Sequence, residues 1–327
     1  MNLDHLFPAE LKKKWDILDV GYFENSKPLT YDQFKNWNQN VNQDLFYLKD
    51  HRSELRSDLK NIFPPFQSGL IFLFSYAKTK KYLLFKNFFK VCAYALGFDG
   101  LDYHLVLKKK LQDIEAELKE RFPNLIVFPF TDTQSILERD FAYQAGMGWI
   151  GRNSMLINPK YGSYFIISGF LLNQKLIDLQ SPKKLETNHC GTCRKCIEAC
   201  PTNAITNENT LIPHQCLSFF TIEAKADFIF NTKIKNDTFH GEIFGCDICQ
   251  DVCPFNHHHL NKLPEVDDND FLAIQKDVEF FQQGHQKILE KFSSMSGREY
   301  LNWSLSKAWA RPRLNGMIKN LKKVLSL

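Results

Sequence analysis

The sequence predicts a mixed fold, α/β or α+β, in three parts. These are an N-terminal domain of strands and helices (1–185), a small cysteine-dense module (186–260) and a short helical C-terminal segment with a basic tail (261–327). Three observations carry this. Strand-length apolar runs, GLIFLFSYA (69–77), NLIVFPF (124–130) and YFIISGFLL (164–172), are interleaved with the helix-spaced stretch LVLKKKLQDIEAELKERF (105–122), the pattern of an α/β domain. Eight of the nine cysteines fall between 190 and 253. Helical patterns then resume behind an acidic, linker-like break, PEVDDND (264–270).

The elements follow in order. Residues 1–67 read as mixed and mostly helical, with a polar stretch at NWNQNVNQD (36–44), and end at Pro64-Pro65. The three apolar runs are bounded by Pro or Gly and read as buried strands. After the second comes TDTQSILERDFAYQAGMGWIGRNSM (131–155). Asp132 falls just past a strand's carboxyl end, where α/β folds place functional groups. On its residues alone it suits a turn or cap as well as an acid. Ser135 and Glu138 form S-x-x-E, a capping box that opens a helix running to Ala145 and stopping at Gly146. GMGWIGRN then packs three glycines into six residues. As a dinucleotide motif it is weak, because it follows a helix rather than a strand.

Composition bounds the rest. The 327 residues suffice for two or three domains; 44% are hydrophobic and 24% charged, as in a globular protein. The net charge of +4 is not that of a general nucleic-acid binder, but residues 298–327 carry seven Lys or Arg against Glu299 alone. No apolar run is long enough to span a membrane. The start, MNLDHLFPAELKKKW, lacks a signal-peptide layout, and no twin-arginine signal is present. A cytoplasmic location is expected, where thiols stay reduced and nine cysteines need a purpose other than disulfides.

Cys190, Cys193, Cys196 and Cys200 are spaced two, two and three apart and followed by Pro201; Cys246, Cys249 and Cys253 repeat the end of that pattern before Pro254, with Cys216 upstream. This is the bacterial ferredoxin spacing for two 4Fe–4S clusters, in which the fourth cysteine of each run ligates the other cluster. By that rule Cys190, Cys193, Cys196 and Cys253 hold one cluster, and Cys246, Cys249, Cys216 and Cys200 the other. Structural zinc prefers paired knuckles and fits less well. Two linked clusters pass single electrons, so the remaining residues must supply substrate chemistry or hold what does.

The stretches TDTQSILERDFAYQAGMGWIGRNSMLINPKYGSYF (131–165), HCGTCRKCIEACPTNAI (189–205), CLSFFTIE (216–223) and GCDICQDVCPFN (245–256) together resemble the epoxyqueuosine reductase family, over roughly residues 40–260. The resemblance implies a cobalamin in a pocket between the α/β domain and the cluster module. It also implies a queuosine-family tRNA as substrate, engaged at the anticodon loop, and removal of an epoxide oxygen with two electrons and protons. Carried over by motif, Asp132 is the proton donor, consistent with a buried acid of raised pKa. Arg139, Asn153, Asp247 and Ile248 are implied at the corrin, with Arg52 and Cys92 as further candidates. A helix-surface role for Arg139 and a buried structural role for Cys92 stay open. Arg152 stands where the family has lysine. DYHLVL (102–107) begins like a cobalt-ligating motif, but Leu107 replaces the required glycine, so His104 is not assigned to cobalt. HHH (257–259) suits a solvent-exposed run better than a metal site. Many family members carry a further helical-repeat extension; here the expected tRNA surface is core loops plus Arg311, Arg313, Lys322 and Lys323. An external one-electron donor such as a ferredoxin or flavodoxin is implied, for a monomer with no membrane partner. The competing classes are a reductive dehalogenase, which typically carries a twin-arginine signal, and a ferredoxin-like carrier without catalysis, against which the large α/β domain argues.

Overall fold

The computed structural model describes residues 2–41, 45–88, 90–177, 185–206, 210–224 and 241–325. The elements used below are, in chain order, β1 (Asp19–Phe23), β2 (Ser68–Ser75), α1 (Ala77–Phe85), α2 (Tyr103–Arg121), β3 (Val127–Phe130), α3 (Glu138–Gln144), β4 (Trp149–Ile150), β5 (Leu156–Ile157) and β6 (Phe165–Leu172). They continue with α4 (Leu217–Ile222), α5 (Ile248–Asp251), α6 (Pro254–Lys262), α7 (Leu272–Gln282), α8 (His285–Ser293), α9 (Gly297–Trp303) and α10 (Arg313–Val324). Among the described residues no helix is long and apolar enough to cross a membrane.

Contacts divide the chain into two compact units, residues 1–75 with 104–193 and residues 76–103 with 194–327. These bounds differ from the three consecutive segments expected from sequence, because 76–103 leaves the first unit and joins the second.

The first unit is built on a four-stranded sheet ordered β1-β2-β6-β3, with every neighbouring pair antiparallel. The mixed strand-and-helix class stands, with the sheet antiparallel throughout. β2 is buried along nearly its whole length. Ile71 and Leu73 face a cluster of Phe23, Phe63, Phe66, Phe130 and Phe141, while Phe72 meets Phe7 and Phe170 edge-on, with ring centroids 5.4 Å apart in both pairs. α2 buries Leu107, Leu111, Ile114 and Leu118, spaced four, three and four residues apart, one face of a helix. β1 lay unrecognised in a stretch read as helical. A Cβ at its Gly21 would sit 2.6 Å from the Met147 sulfur, so only glycine admits that approach.

In the second unit, 76–103 is fastened by polar and aromatic contacts to residues far along the chain. Tyr82 stacks on Phe271 with centroids 4.3 Å apart and donates its hydroxyl to Asp268. Lys86 pairs with Asp268 and Lys81 with Glu265. The acidic stretch 264–270 is therefore a ligating edge, not a loose linker. Behind it α7, α8, α9 and the turn at Ala308–Ala310 bury Phe281, Phe292, Tyr300 and Trp309. α10 closes this layer with Met317 and Leu321 inward.

Candidate functional site

Asp132 lies two residues beyond β3. Its φ of 55° is left-handed, uncommon for a residue with a Cβ and concentrated at functional sites. Its amide donates to Glu138 Oε1 at 2.6 Å, and its Oδ2 lies 3.8 Å from His104 Nε2 on α2. The expected capping box is absent: α3 starts at Glu138, its N-cap is Leu137, and the Glu138 carboxylate holds the Asp132 turn instead. The helix does end where predicted, at Ala145, with Gly146 at φ 68°.

Two features depart from the sequence reading. The Asp132 side chain is 62% exposed, not buried. Glu138 is only partly buried as a residue, yet burial of its carboxyl, then the Asp132 charge, push it well above the usual carboxylate range. Sequence reasoning used Glu138 as a helix cap and set His104 aside. No local signal marked either as a neighbour of Asp132.

Arg139 donates to the Ser154 carbonyl. Buried Asn153, one residue earlier, accepts from Met155 N–H at 3.3 Å within the tight turn GRNSM. Arg139 and Asn153 thus meet at one turn. Arg52 is ion-paired with Asp50, and that hydrogen-bonded guanidinium holds the Asp50 carboxyl down at about 2.

The glycine-rich segment turns toward cysteine, not phosphate. A Cβ on Gly148, at φ 153°, would lie 2.2 Å from Ile157 O, so glycine is what lets β4 lie against β5. The strand then presents the Trp149 indole N–H to Cys190 Sγ at 3.4 Å, and Arg152 donates to Gly191 O at 2.8 Å.

Among the described residues, none of the nine cysteines forms a disulfide. In the second unit Cys246 and Cys249 are raised well above the ordinary thiol range, first by burial and then by neighbouring groups: Glu242 and Cys249 for the former, Cys216 and Cys200 for the latter. Thiols that oppose one another's ionisation this closely are what a cationic iron core would offset on binding. Cys200, Cys216, Cys246 and Cys249 thus lie near one another, and Cys196, expected at the other cluster, also acts on Cys249. Cys216 caps α4 and Cys253 caps α6, with Pro254 in the first helical turn. Of the other set, Cys190 and Cys193 belong to the first unit and Cys196 and Cys253 to the second. Among the described residues no three His, Cys, Asp or Glu side chains close on a single ion; a cluster needs ligands spread over several iron corners.

Cys92 is buried, and its sulfur lies 2.1 Å from where a Cβ on Gly245 would stand. Asp247 is buried and accepts from Lys80 Nζ at 3.1 Å and from Ala93 N–H at 2.9 Å, so its carboxylate is engaged inside the unit; Ile248 opens α5. Of the three histidines, His257 and His258 are exposed and His259 is buried.

The basic tail is a docked helix. Asn320 of α10 donates to Thr221 O and Ile243 O, each at 2.8 Å. Arg311 pairs with Glu223, Arg313 and Lys322 are exposed, and Lys323 is half-buried. Lys319, unsingled in the sequence, donates to Phe220 O and Ala224 O, and burial lowers it to about 8.

Two family models match this chain: "4Fe-4S double cluster binding domain" over residues 189–256 and "Epoxyqueuosine reductase QueG, DUF1730" over 56–133. The epoxyqueuosine reductase of Cyclobacterium marinum is 34% identical over 258 residues, 77% of this chain and 78% of its own. The chain belongs to the epoxyqueuosine reductase family. Solved members share the fold. The Streptococcus thermophilus epoxyqueuosine reductase superposes with a TM-score of 0.74 at 22% identity, over 100% of this chain and 81% of its own. An epoxyqueuosine reductase solved with a tRNA-Tyr epoxyqueuosine-modified stem loop gives 0.74 at 21%, over 99% and 80%. In this family member the reductase model ends one residue past Asp132, and the double-cluster model spans all eight clustered cysteines.

Proposed function

We infer that this chain reduces epoxyqueuosine to queuosine in tRNA, using a cobalamin fed by two 4Fe–4S clusters. The observation that carries this is the joining in one chain of the reductase model, up to Asp132, with the double-cluster model. Reduction of the epoxide to the alkene consumes two electrons and two protons and releases water.

The residues fit these groups in donor chemistry. Eight cysteines outside any disulfide suit two clusters. The exposed Asp132 carboxyl is open to a bound substrate, and Arg139, with Asn153 beside its turn, suits the amide periphery of a corrin. Cobalamin, when bound, supplies the substrate-reducing centre. Asp132 donates the proton to the departing oxygen, because an alkoxide leaves poorly. Its carboxyl is exposed in the free protein, so the desolvation that favours the protonated acid comes when substrate covers it. Glu138 fixes the Asp132 amide and so aims the side chain. Asp247 and Ile248 lie between Cys246 and Cys249 of the second set, and Arg52 and Cys92 complete the proposed corrin contacts.

The functional segmentation we propose is a cobalamin-binding catalytic part in 1–185, the cluster module in 186–260 and a helical C-terminal part in 261–327. Arg311, Arg313, Lys322 and Lys323 would touch tRNA phosphates. The anticodon-loop base must be extruded to be reached, as for other enzymes acting on bases. The protein would act as a cytoplasmic monomer with an external ferredoxin or flavodoxin.

The test is anaerobic turnover of epoxyqueuosine-containing tRNA by reconstituted protein with cobalamin. Asp132→Asn is expected to abolish conversion while keeping iron content and corrin absorbance. An unmutated protein, loaded with both cofactors, that leaves the tRNA unchanged sinks the reading.

A further inference from the structure

Residues 146–151 have no task in the reaction as derived above, yet the side chain of Trp149 among them is buried against a cluster cysteine. Trp149 is 1% exposed. Its indole nitrogen donates to Cys190 Sγ at 3.4 Å, and its ring packs edge-on against His189 with centroids 4.8 Å apart. The geometry is held from both sides. On one side, Trp149 pairs with Ile157, Ile150 pairs with Leu156, and Gly151 N–H closes on Met155 O at 2.8 Å. On the other, Asn188 accepts from Cys190 N–H at 2.9 Å, Cys193 N–H donates to Cys190 O at 2.8 Å, and Arg152 clamps Gly191 O. The hairpin and the cysteine loop are each tied within themselves, so the N–H···S contact between them is a fixed feature.

We propose that Trp149 is a redox-positioning residue for the cluster ligated by Cys190, its indole N–H bonding the thiolate and favouring the reduced cluster. The proposal rests on the two-cluster reading above. A thiol sulfur is a weak acceptor, but an iron-bound thiolate carries charge and accepts more strongly. Each added electron makes the cluster more negative, so the donor stabilises the reduced form more than the oxidised form, and hydrogen bonds to sulfur are a recognised control on cluster potential. The step it assists is one-electron transfer from the external donor to the oxidised cluster, with no bond made or broken.

The experiment is an anaerobic redox titration, followed by paramagnetic resonance, of the full chain carrying its clusters. Trp149→Phe keeps an aromatic ring and removes the N–H. One of two midpoints is expected to fall by about 59 mV, an about tenfold loss in a one-electron reduction equilibrium, while the other stays in place. Unmoved midpoints in a Trp149→Phe protein with full iron content overturn the proposal and leave the proposed function standing. An unmutated protein that takes up iron but shows no cluster signals overturns both. If Trp149→Phe takes up no iron, the unmutated protein is labelled with indole-15N tryptophan. Hyperfine coupling of that nitrogen to a reduced cluster supports the contact, and its absence overturns it.

Discussion

Replacing Lys80 with methionine should destabilise the second unit by several kcal/mol. Lys80 on α1 is 4% exposed. Its Nζ lies 3.1 Å from Asp247 Oδ2 and 2.7 Å from Asp251 Oδ1. Burial pulls its pKa down, but the two carboxylates outweigh that and leave it raised. A raised cation stabilises the fold at all pH below its ordinary value and loses that contribution only as pH climbs through the raised one, so the full effect is present at neutral pH. Methionine fills similar volume and strands two acidic groups without a counter-charge. Breaking a buried pair from one side costs about 3–5 kcal/mol. The unit holds roughly 160 residues. At about 2.1 cal/mol/K per residue its unfolding entropy is about 0.34 kcal/mol/K, so the melting temperature should fall by about 9–15 °C. The measurement is anaerobic calorimetry with clusters in place. Lys80→Met combined with Asp247→Asn and Asp251→Asn should recover most of the loss, since neutral amides tolerate desolvation. A single-variant shift under about 3 °C, or a triple variant no better than the single, would refute the reasoning.

Gly245→Ala combines left-handed strain at φ 73° with a Cβ 2.1 Å from the Cys92 sulfur, about 1–2 kcal/mol for the backbone and 1–3 for the overlap. Iron per chain should drop, and Cys92→Ala in the same protein should restore part of it. Glu242, buried and raised to about 8 by burial first and then by Asp247 and Asp251, keeps in the folded state a proton that the unfolded chain releases. Stability should therefore fall with rising pH by about 1.4 kcal/mol per unit between about pH 5 and 8, and Glu242→Gln should flatten that slope in denaturant titrations across this range. Glu138→Ala removes the acceptor of the Asp132 amide, so turnover should fall at unchanged iron content, while Glu138→Gln, which keeps a carbonyl there, should retain most activity.

The cysteine pattern was legible because cluster ligation dictates local spacing, and β2 and β6 because they are continuous apolar runs. The sense of the sheet was not. Such runs usually mark parallel strands covered on both faces, whereas here an antiparallel sheet has apolar side chains packed on both faces, Ile71 and Leu73 on one and Phe72 on the other. Ser135 and Glu138 satisfied a local capping rule, but Glu138 was claimed by the Asp132 amide, a contact set by the turn rather than by sequence distance. Asp132 was singled out by motif, while its exposure and its neighbour His104 depend on how α2 passes the β3 end. Trp149 shows the same limit, since a donor to sulfur is visible only once the hairpin and the cysteine loop are in space.

The lending of residues 76–103 to the second unit sets a timetable for synthesis. Lys80 meets Asp247 across 167 positions, and Tyr82 meets Asp268 across 186. At roughly 5–20 residues per second a ribosome needs about 10–40 s to make that stretch. Throughout that interval the α1 lysine and the Cys92 thiol wait without their native cover. The nascent chain is then open to oxidation at a site the finished protein seals behind Gly245, and growth under oxygen should cost yield at that stage before it harms the folded enzyme.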